Sequence, residues 1–73
     1  MKSLKQIQEL AEKGDYSRIG AIVSKSPALV RAVIAGERED HHNIQQVFSD
    51  MLEARERLAK REEKRRQRNR LAA

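Results

Sequence analysis

The sequence predicts an all-α protein in which three short helices are followed by one long C-terminal helix. Apolar residues recur every three or four positions along the chain, which is the spacing of an amphipathic helix. Helix-starting and helix-stopping residues divide residues 1–36 at short intervals. Neither glycine nor proline interrupts the rest of the chain. We therefore divide it into a head (1–36), a connection with most of the long helix (37–59) and a basic tail (60–73).

The first two helices are marked by the residues at their ends. Ser3 and Gln6 have the spacing of a capping box, which opens a first helix that we expect to stop at Gly14. Asp15 is the expected N-cap of a second, short helix over residues 16–23. Its predicted buried residues are Ile19, Ile22 and Val23.

The third and fourth helices have equally clear signals. Ser26 followed by Pro27 favours a helix start. The serine hydroxyl can cap the helix. Proline is tolerated at the first helical position because the N–H that it lacks would have no partner within the helix there. The third helix is expected to stop at Gly36, and the fourth to begin within residues 40–43. The predicted buried residues of the third helix are Val30, Val33 and Ile34.

The long helix carries an apolar seam that alternates at three and four residues. The seam lasts barely two heptads before arginines occupy it, which is too short for an independent coiled coil. It is long enough for one stripe to pack on the first three helices and another on a second subunit. We therefore expect a homodimer. The candidate dimerisation residues are Ile44, Val47, Met51 and Leu58.

The charge of the chain is concentrated near its C-terminal end. The formal charge is +5, from 16 Lys and Arg against 11 Asp and Glu. Residues 1–59 hold nine of each sign, so the whole excess lies in residues 60–70. A block of this kind is typical of a contact with nucleic acid or with an acidic partner. Its basic residues are Lys60, Arg61, Lys64, Arg65, Arg66, Arg68 and Arg70.

Composition argues against several classes of function. A chain of 73 residues is too short to enclose a large substrate cavity, and without cysteine it has no thiolate nucleophile or thiolate zinc site. His41 and His42 are adjacent, so they point about 100° apart on a helix and are a poor metal pair. No apolar run approaches the length of a membrane span. We expect no enzyme activity, cofactor, metal, membrane partner or small-molecule effector.

The informative segment is residues 18–36, where two short helices are joined by a three-residue turn. Such a corner needs small residues where the helices approach, apolar residues between them and a firm start to the second helix. The segment resembles the helix-turn-helix of bacterial and phage DNA-binding regulators, especially the lactose-repressor-like form. An apolar-small pair, a capping serine and two anchoring valines carry the resemblance: Ile19-Gly20, Ser26, and Val30 with Val33. Ser24 departs from the family, which prefers glycine in the turn.

The resemblance implies a cytoplasmic, nucleoid-associated protein of bacterial or phage origin that binds double-stranded DNA as a dimeric transcriptional regulator. The N-terminal part of the third helix would read the DNA sequence. Among its residues only Arg31 can donate two hydrogen bonds to guanine. The implied base-reading residues are Pro27, Ala28, Arg31 and Ala32. The implied phosphate-binding residues are Arg18, Lys25, Ser26 and Arg38.

Two other functions remain open from the sequence. The arginine-rich tail is also suited to an RNA stem or bulge, which arginine-rich segments bind as they fold. In a protein-interaction module, the helical corner would be purely structural and the tail would dock on an acidic protein or membrane surface.

Overall fold

The structure, a computed structural model, describes the backbone of residues 1–72 and the side chains of residues 1–66. The described backbone is all-helical, as predicted, and contains no strand. The four helices are α1 (Leu4–Leu10), α2 (Asp15–Val23), α3 (Pro27–Ile34) and α4 (Ile44–Ala72). The molecule measures 52 × 21 × 17 Å. It is elongated because the 29 residues of α4 extend over about 43 Å at 1.5 Å per residue.

The start of α1 is as predicted, whereas its end is not. The Gln6 amide donates to the Ser3 hydroxyl at 3.2 Å, and the Ser3 amide donates to the Gln6 side chain at 2.9 Å, which completes the capping box. The helix ends at Leu10 because Ala11 turns into an extended conformation (φ −64°, ψ 134°). The prediction of a helix reaching Gly14 was therefore wrong.

Neither Gly14 nor Asp15 has the role that the sequence predicted for it, since Gly14 does not end α1 and Asp15 does not cap α2. Gly14 adopts a left-handed conformation (φ 97°) and is the N-cap of α2, while Asp15 is its first helical residue. The Asp15 carboxylate reaches back to accept the Glu12 amide at 2.7 Å. That bond closes the α1–α2 connection, so Asp15 stabilises the turn before α2 instead of capping the helix.

Both ends of α3 agree with the sequence. The Ser26 hydroxyl accepts the Leu29 amide at 3.2 Å, and Pro27 occupies the first helical position. Gly36 follows the helix in a left-handed conformation (φ 79°), which a side chain would strain. Two crossed hydrogen bonds complete a Schellman motif: Gly36 to Val33 at 3.1 Å, and Glu37 to Ala32 at 2.9 Å.

The start of α4 is fixed by the polar connection that precedes it. The two carboxylate oxygens of Asp40 accept the amides of Ile44 at 2.7 Å and Gln45 at 2.9 Å. One side chain thus satisfies two of the amides that a helix start leaves unbonded. The predicted start within residues 40–43 is correct to within one residue, since α4 begins at Ile44.

One hydrophobic core joins all four helices. Val30, Val33 and Ile34 are buried as predicted, whereas Ile22 is 59 % exposed and its predicted burial was wrong. The buried apolar residues are Ile7, Ile19, Val30, Val33, Ile34, Ile44, Phe48 and Leu52. Because this set extends from α1 to the third turn of α4, the long helix is part of the head's core and not an appendage to it.

The N-terminal segment is tied to α4 by three polar contacts. The Lys2 amide donates to the buried Ser49 hydroxyl at 2.8 Å, and its carbonyl accepts from the Gln45 side chain at 3.0 Å. The Lys2 ammonium lies 3.0 Å from the Glu56 carboxylate. These contacts hold α4 against the head as far as Glu56.

Candidate nucleic-acid interface

The corner between α2 and α3 is closed tightly over one glycine. The Gly20 carbonyl accepts the Lys25 amide at 2.8 Å, and a Cβ added at Gly20 would lie only 2.6 Å from the Lys25 carbonyl oxygen. The turn is possible because Ser24 adopts a left-handed conformation (φ 59°), at a strain cost that glycine would not carry. The small residue expected where the helices approach is therefore required by the backbone geometry.

The predicted base-reading residues differ in their accessibility. Ala28 and Arg31 are exposed on the outer face of α3, whereas Pro27 and Ala32 are half-buried. At 100° per residue, Ala28, Arg31 and Ala35 fall within an arc of about 60°, outside the arc occupied by the buried Val30, Val33 and Ile34. The outer face of α3 is thus small and flat apart from a single guanidinium group.

That guanidinium group is held by an aromatic side chain. Arg31 lies over the ring of Tyr16 at 5.4 Å from its centroid, a cation–π arrangement. Tyr16 in turn meets the buried Phe48 edge to face, with ring centroids 5.5 Å apart. Arg31 thus contacts an aromatic ring of α2 while its side chain remains exposed. The sequence did not indicate this chain of contacts from α4 to the surface of α3.

The predicted phosphate-binding residues are all exposed. Arg18 is on α2, Lys25 and Ser26 form the turn, and Arg38 follows α3. The N-terminus of α3 itself offers less than expected, because the Ser26 hydroxyl already accepts the Leu29 amide and proline has no N–H. Any phosphate contact there depends mainly on side chains.

A shallow groove lies beside α3, between that helix and the connection to α4. It is lined by Leu29, Arg38, Glu39, His41 and His42. The His41 imidazole lies 3.2 Å from the Glu39 carboxylate, and both imidazoles are exposed. The described residues contain no group of three or more potential metal-ligating side chains.

An ion pair that the sequence did not reveal fixes α4 against the start of α2. The Arg55 guanidinium donates two hydrogen bonds to Asp15, at 2.7 and 3.1 Å, although Asp15 is only 4 % exposed. The Arg55 hydrogen bonds lower the pKa of Asp15, helped by the Glu12 amide and opposed by burial. The carboxylate correspondingly raises the pKa of Arg55. Forty residues separate the partners, so no local motif could indicate the pair.

The four candidate dimerisation residues do not form one exposed seam. Ile44 is fully buried in the core, and Val47 and Met51 are half-buried against it. Leu58 lies on α4 beyond Leu52, the last buried apolar residue among those described, and is 61 % exposed. Most of the apolar seam is thus used within the chain.

The basic tail extends from the head along α4. Residues 59–66 are exposed throughout, and they include Lys60, Arg61, Lys64, Arg65 and Arg66. The side chains of Arg68 and Arg70, also assigned to this tail, lie outside the described residues.

Comparison of the chain with protein families, curated proteins and solved structures finds no significant match. Within the described residues, none of the helices has the length and apolar character needed to cross a membrane.

Proposed function

We propose that the protein binds double-stranded DNA, with α2 and α3 acting as a helix-turn-helix and α3 entering the major groove. The observation that carries this proposal is the contact between Gly20 and the turn. A Cβ at Gly20 would lie 2.6 Å from the Lys25 carbonyl oxygen, so the turn packs tightly against α2, which supports a close corner of the helix-turn-helix type. The left-handed Ser24 lies at the position where related motifs prefer glycine.

The outer face of α3 supports the same proposal. Ala28 is small and exposed, so the helix backbone can approach the bases closely. Arg31 is the one side chain of the four implied readers that can donate two hydrogen bonds to guanine, and Tyr16 orients it. The expected base specificity is consequently modest, and it is centred on one guanine. The surrounding cations at Arg18, Lys25 and Arg38 supply phosphate contacts that fix the orientation of the head.

A dimer remains part of the proposal, because a single short recognition helix makes few base contacts and paired half-sites raise affinity. The surface left for a second copy is an edge of α4 formed by Val47, Met51 and Leu58. Sedimentation of the wild type and of Leu58→Asp tests it. We expect a concentration-dependent dimer that the substitution disrupts. A wild type that sediments as a monomer across the micromolar range contradicts the dimer without affecting DNA binding.

Selection from a pool of randomised DNA duplexes tests the regulator proposal. The wild type should enrich sequences with a fixed guanine, and Arg31→Ala should lose that preference, with a loss of about 1–3 kcal/mol on the selected duplex. The matched control is Arg38→Ala, which removes one exposed arginine near α3. It should weaken binding to all duplexes alike and reduce the salt slope by about one. If the wild type enriches no sequence, the base-reading proposal is wrong.

A further inference from the structure

The exposed half of α4 distributes its charges unevenly around the helix axis. Beyond Glu56, which contacts Lys2, the described side chains of α4 have no partner in the head. The helix continues without glycine or proline. The charged residues on this segment therefore face solvent in directions that the helix periodicity fixes.

Five cations share one side of this segment. At 100° per residue, Arg57, Lys60, Arg61, Lys64 and Arg65 fall within an arc of about 140° and rise over about 12 Å. We call these five residues the α4 stripe. Their spacing of i, i+3, i+4, i+7 and i+8 is the spacing by which an amphipathic helix forms a single face, with charge here in place of apolar character.

The opposite side carries a different set of charges. Glu56, Glu62 and Glu63 lie outside the arc, although the Glu62 carboxylate lies 3.9 Å from the Arg65 guanidinium at the edge of the α4 stripe. Arg66 follows Phe48 by 18 residues, or five full turns, and so lies on the line of the face that enters the core. The α4 stripe therefore points away from the core.

Arg31 lies on the side of α4 remote from the stripe. The ring of Phe48, in the core and on the side of α4 opposite the stripe, meets the Tyr16 ring with centroids 5.5 Å apart, and the Arg31 guanidinium lies 5.4 Å from the centroid of the Tyr16 ring. Ala28 and Arg31 are exposed on the side of α3 remote from that core, and the stripe is on the side of α4 remote from it. The packed rings of Phe48 and Tyr16 and the backbone of α4 therefore separate Arg31 from the stripe, which places the two surfaces on different sides of the chain.

The chemistry of the stripe favours a phosphate backbone as its ligand. Arginine and lysine at a regular spacing suit a regularly spaced polyanion. The segment lacks the apolar face with which an interfacial helix enters a membrane, since Leu58 is its one large apolar residue among those described. The same lack of apolar residues argues against a coiled coil with another helix.

We propose that the α4 stripe binds the backbone of a second DNA duplex, so that the protein bridges two DNA segments. This inference rests on the proposed function, because α3 holds the first duplex. Bridging requires no base reading by the stripe, and its binding is sensitive to salt and indifferent to sequence.

A two-duplex capture measurement tests the proposal with the full chain. A 40-base-pair duplex is immobilised on beads, the protein is bound, unbound protein is washed away, and a fluorescent duplex of unrelated sequence is added. The variants are Arg65→Gln, on the stripe, and Arg66→Gln, its neighbour on the opposite side. The two arginines are exposed alike, and the two substitutions change the net charge equally.

We expect the wild type and Arg66→Gln to capture the second duplex with similar affinity. Arg65→Gln should weaken capture by about five- to tenfold at 0.1 M salt, and Arg61→Gln/Arg65→Gln should reduce the salt slope of capture by about two. Equal losses for Arg65→Gln and Arg66→Gln overturn the proposal, because they indicate diffuse attraction by the tail. Undiminished capture by the double variant also overturns it, because a protein dimer would then be the bridge.

Failure of this inference is distinguishable from failure of the proposed function. Loss of retention on the immobilised duplex with Arg31→Ala reports binding through the head, and fluorescence on the beads reports the second duplex. Retention without capture by the wild type contradicts bridging alone. An absence of retention at low salt contradicts both proposals.

Discussion

The Arg55 guanidinium binds both carboxylate oxygens of Asp15, at 2.7 and 3.1 Å, across 40 residues of sequence. Asp15 is the first residue of α2, and its carboxylate also accepts the Glu12 amide. One buried carboxylate therefore joins the α1–α2 connection, the start of α2 and the fourth turn of α4. The orientation of the long helix relative to the corner formed by α2 and α3 depends on this pair.

The first prediction concerns the pH dependence of folding. The pKa of Asp15 is lower in the folded chain than in the unfolded chain, so the unfolded chain binds the proton more readily. The stabilisation by Asp15 is present above about pH 4, the pKa of an unfolded aspartate, and is lost as the pH falls through the lower folded pKa. Thermal unfolding followed by circular dichroism at pH 2–7 should show this loss.

Asp15→Asn is the matched variant for that measurement. It should lower the free energy of unfolding by about 1–3 kcal/mol at pH 7, because Arg55 loses its buried anion. It should also reduce the loss of stability that the wild type shows as the pH falls. If the variant loses stability at acidic pH as steeply as the wild type, other carboxylates are responsible for the acid sensitivity.

The second prediction concerns the closely packed corner. Gly20→Ala should lower the free energy of unfolding by about 2–3 kcal/mol, because the new Cβ meets the Lys25 backbone carbonyl and not a flexible side chain. Urea unfolding measures the change. Ser17→Ala, at an exposed position on the same helix, should stay within about 0.5 kcal/mol of the wild type. Equal stability of Gly20→Ala and the wild type would show that the helices are not held this close.

The third prediction is a gain in stability. Ser24→Gly should stabilise the chain by about 0.5–1 kcal/mol, since glycine adopts the left-handed conformation (φ 59°) without strain. The control is Ser17→Gly, the same chemical change inside α2, which should destabilise by about 0.5 kcal/mol. Opposite signs for the two substitutions are the expected result. A loss of stability from Ser24→Gly would contradict the strained turn.

The fourth prediction separates the position of Arg31 from its charge. Tyr16→Leu removes the ring beneath the guanidinium and the edge contact with Phe48. It should lower the free energy of unfolding by about 1–2 kcal/mol and broaden the duplexes enriched in selection. Tyr16→Phe keeps the ring and should preserve both properties. Unchanged selection by the folded Tyr16→Leu variant would show that the ring does not position Arg31.

Local signals in the sequence predicted the helix ends that depend on local hydrogen bonds. Ser3, Ser26 and Gly36 act as predicted, because their partners lie within five residues of them. Asp15 does not act as predicted, because a buried arginine 40 residues away and the Glu12 amide compete for its carboxylate. The end of α1 was also missed, because Ala11 packs against the core in an extended conformation and does not continue the helix.

The apolar pattern predicted which face of α3 is buried, but it could not assign partners to the faces of α4. Ile44 has the spacing of a dimer seam and lies in the head's own core. Ile22 has the spacing of a core residue and is 59 % exposed. Periodicity defines a face of a helix but not what covers that face. The site residues could be named from the resemblance, whereas the contact of Arg31 with Tyr16 requires the packing of three helices.

Because α4 is one continuous helix, the directions of the side chains in its second half are fixed relative to those in its first half. No glycine or proline separates the turns that pack in the core from those that carry the stripe. Each residue inserted at the junction would turn the stripe by about 100° around the helix axis relative to the head. The direction in which the cations point is thus a geometric property, set by the number of residues between Phe48 and Arg65 and independent of the net charge of the chain.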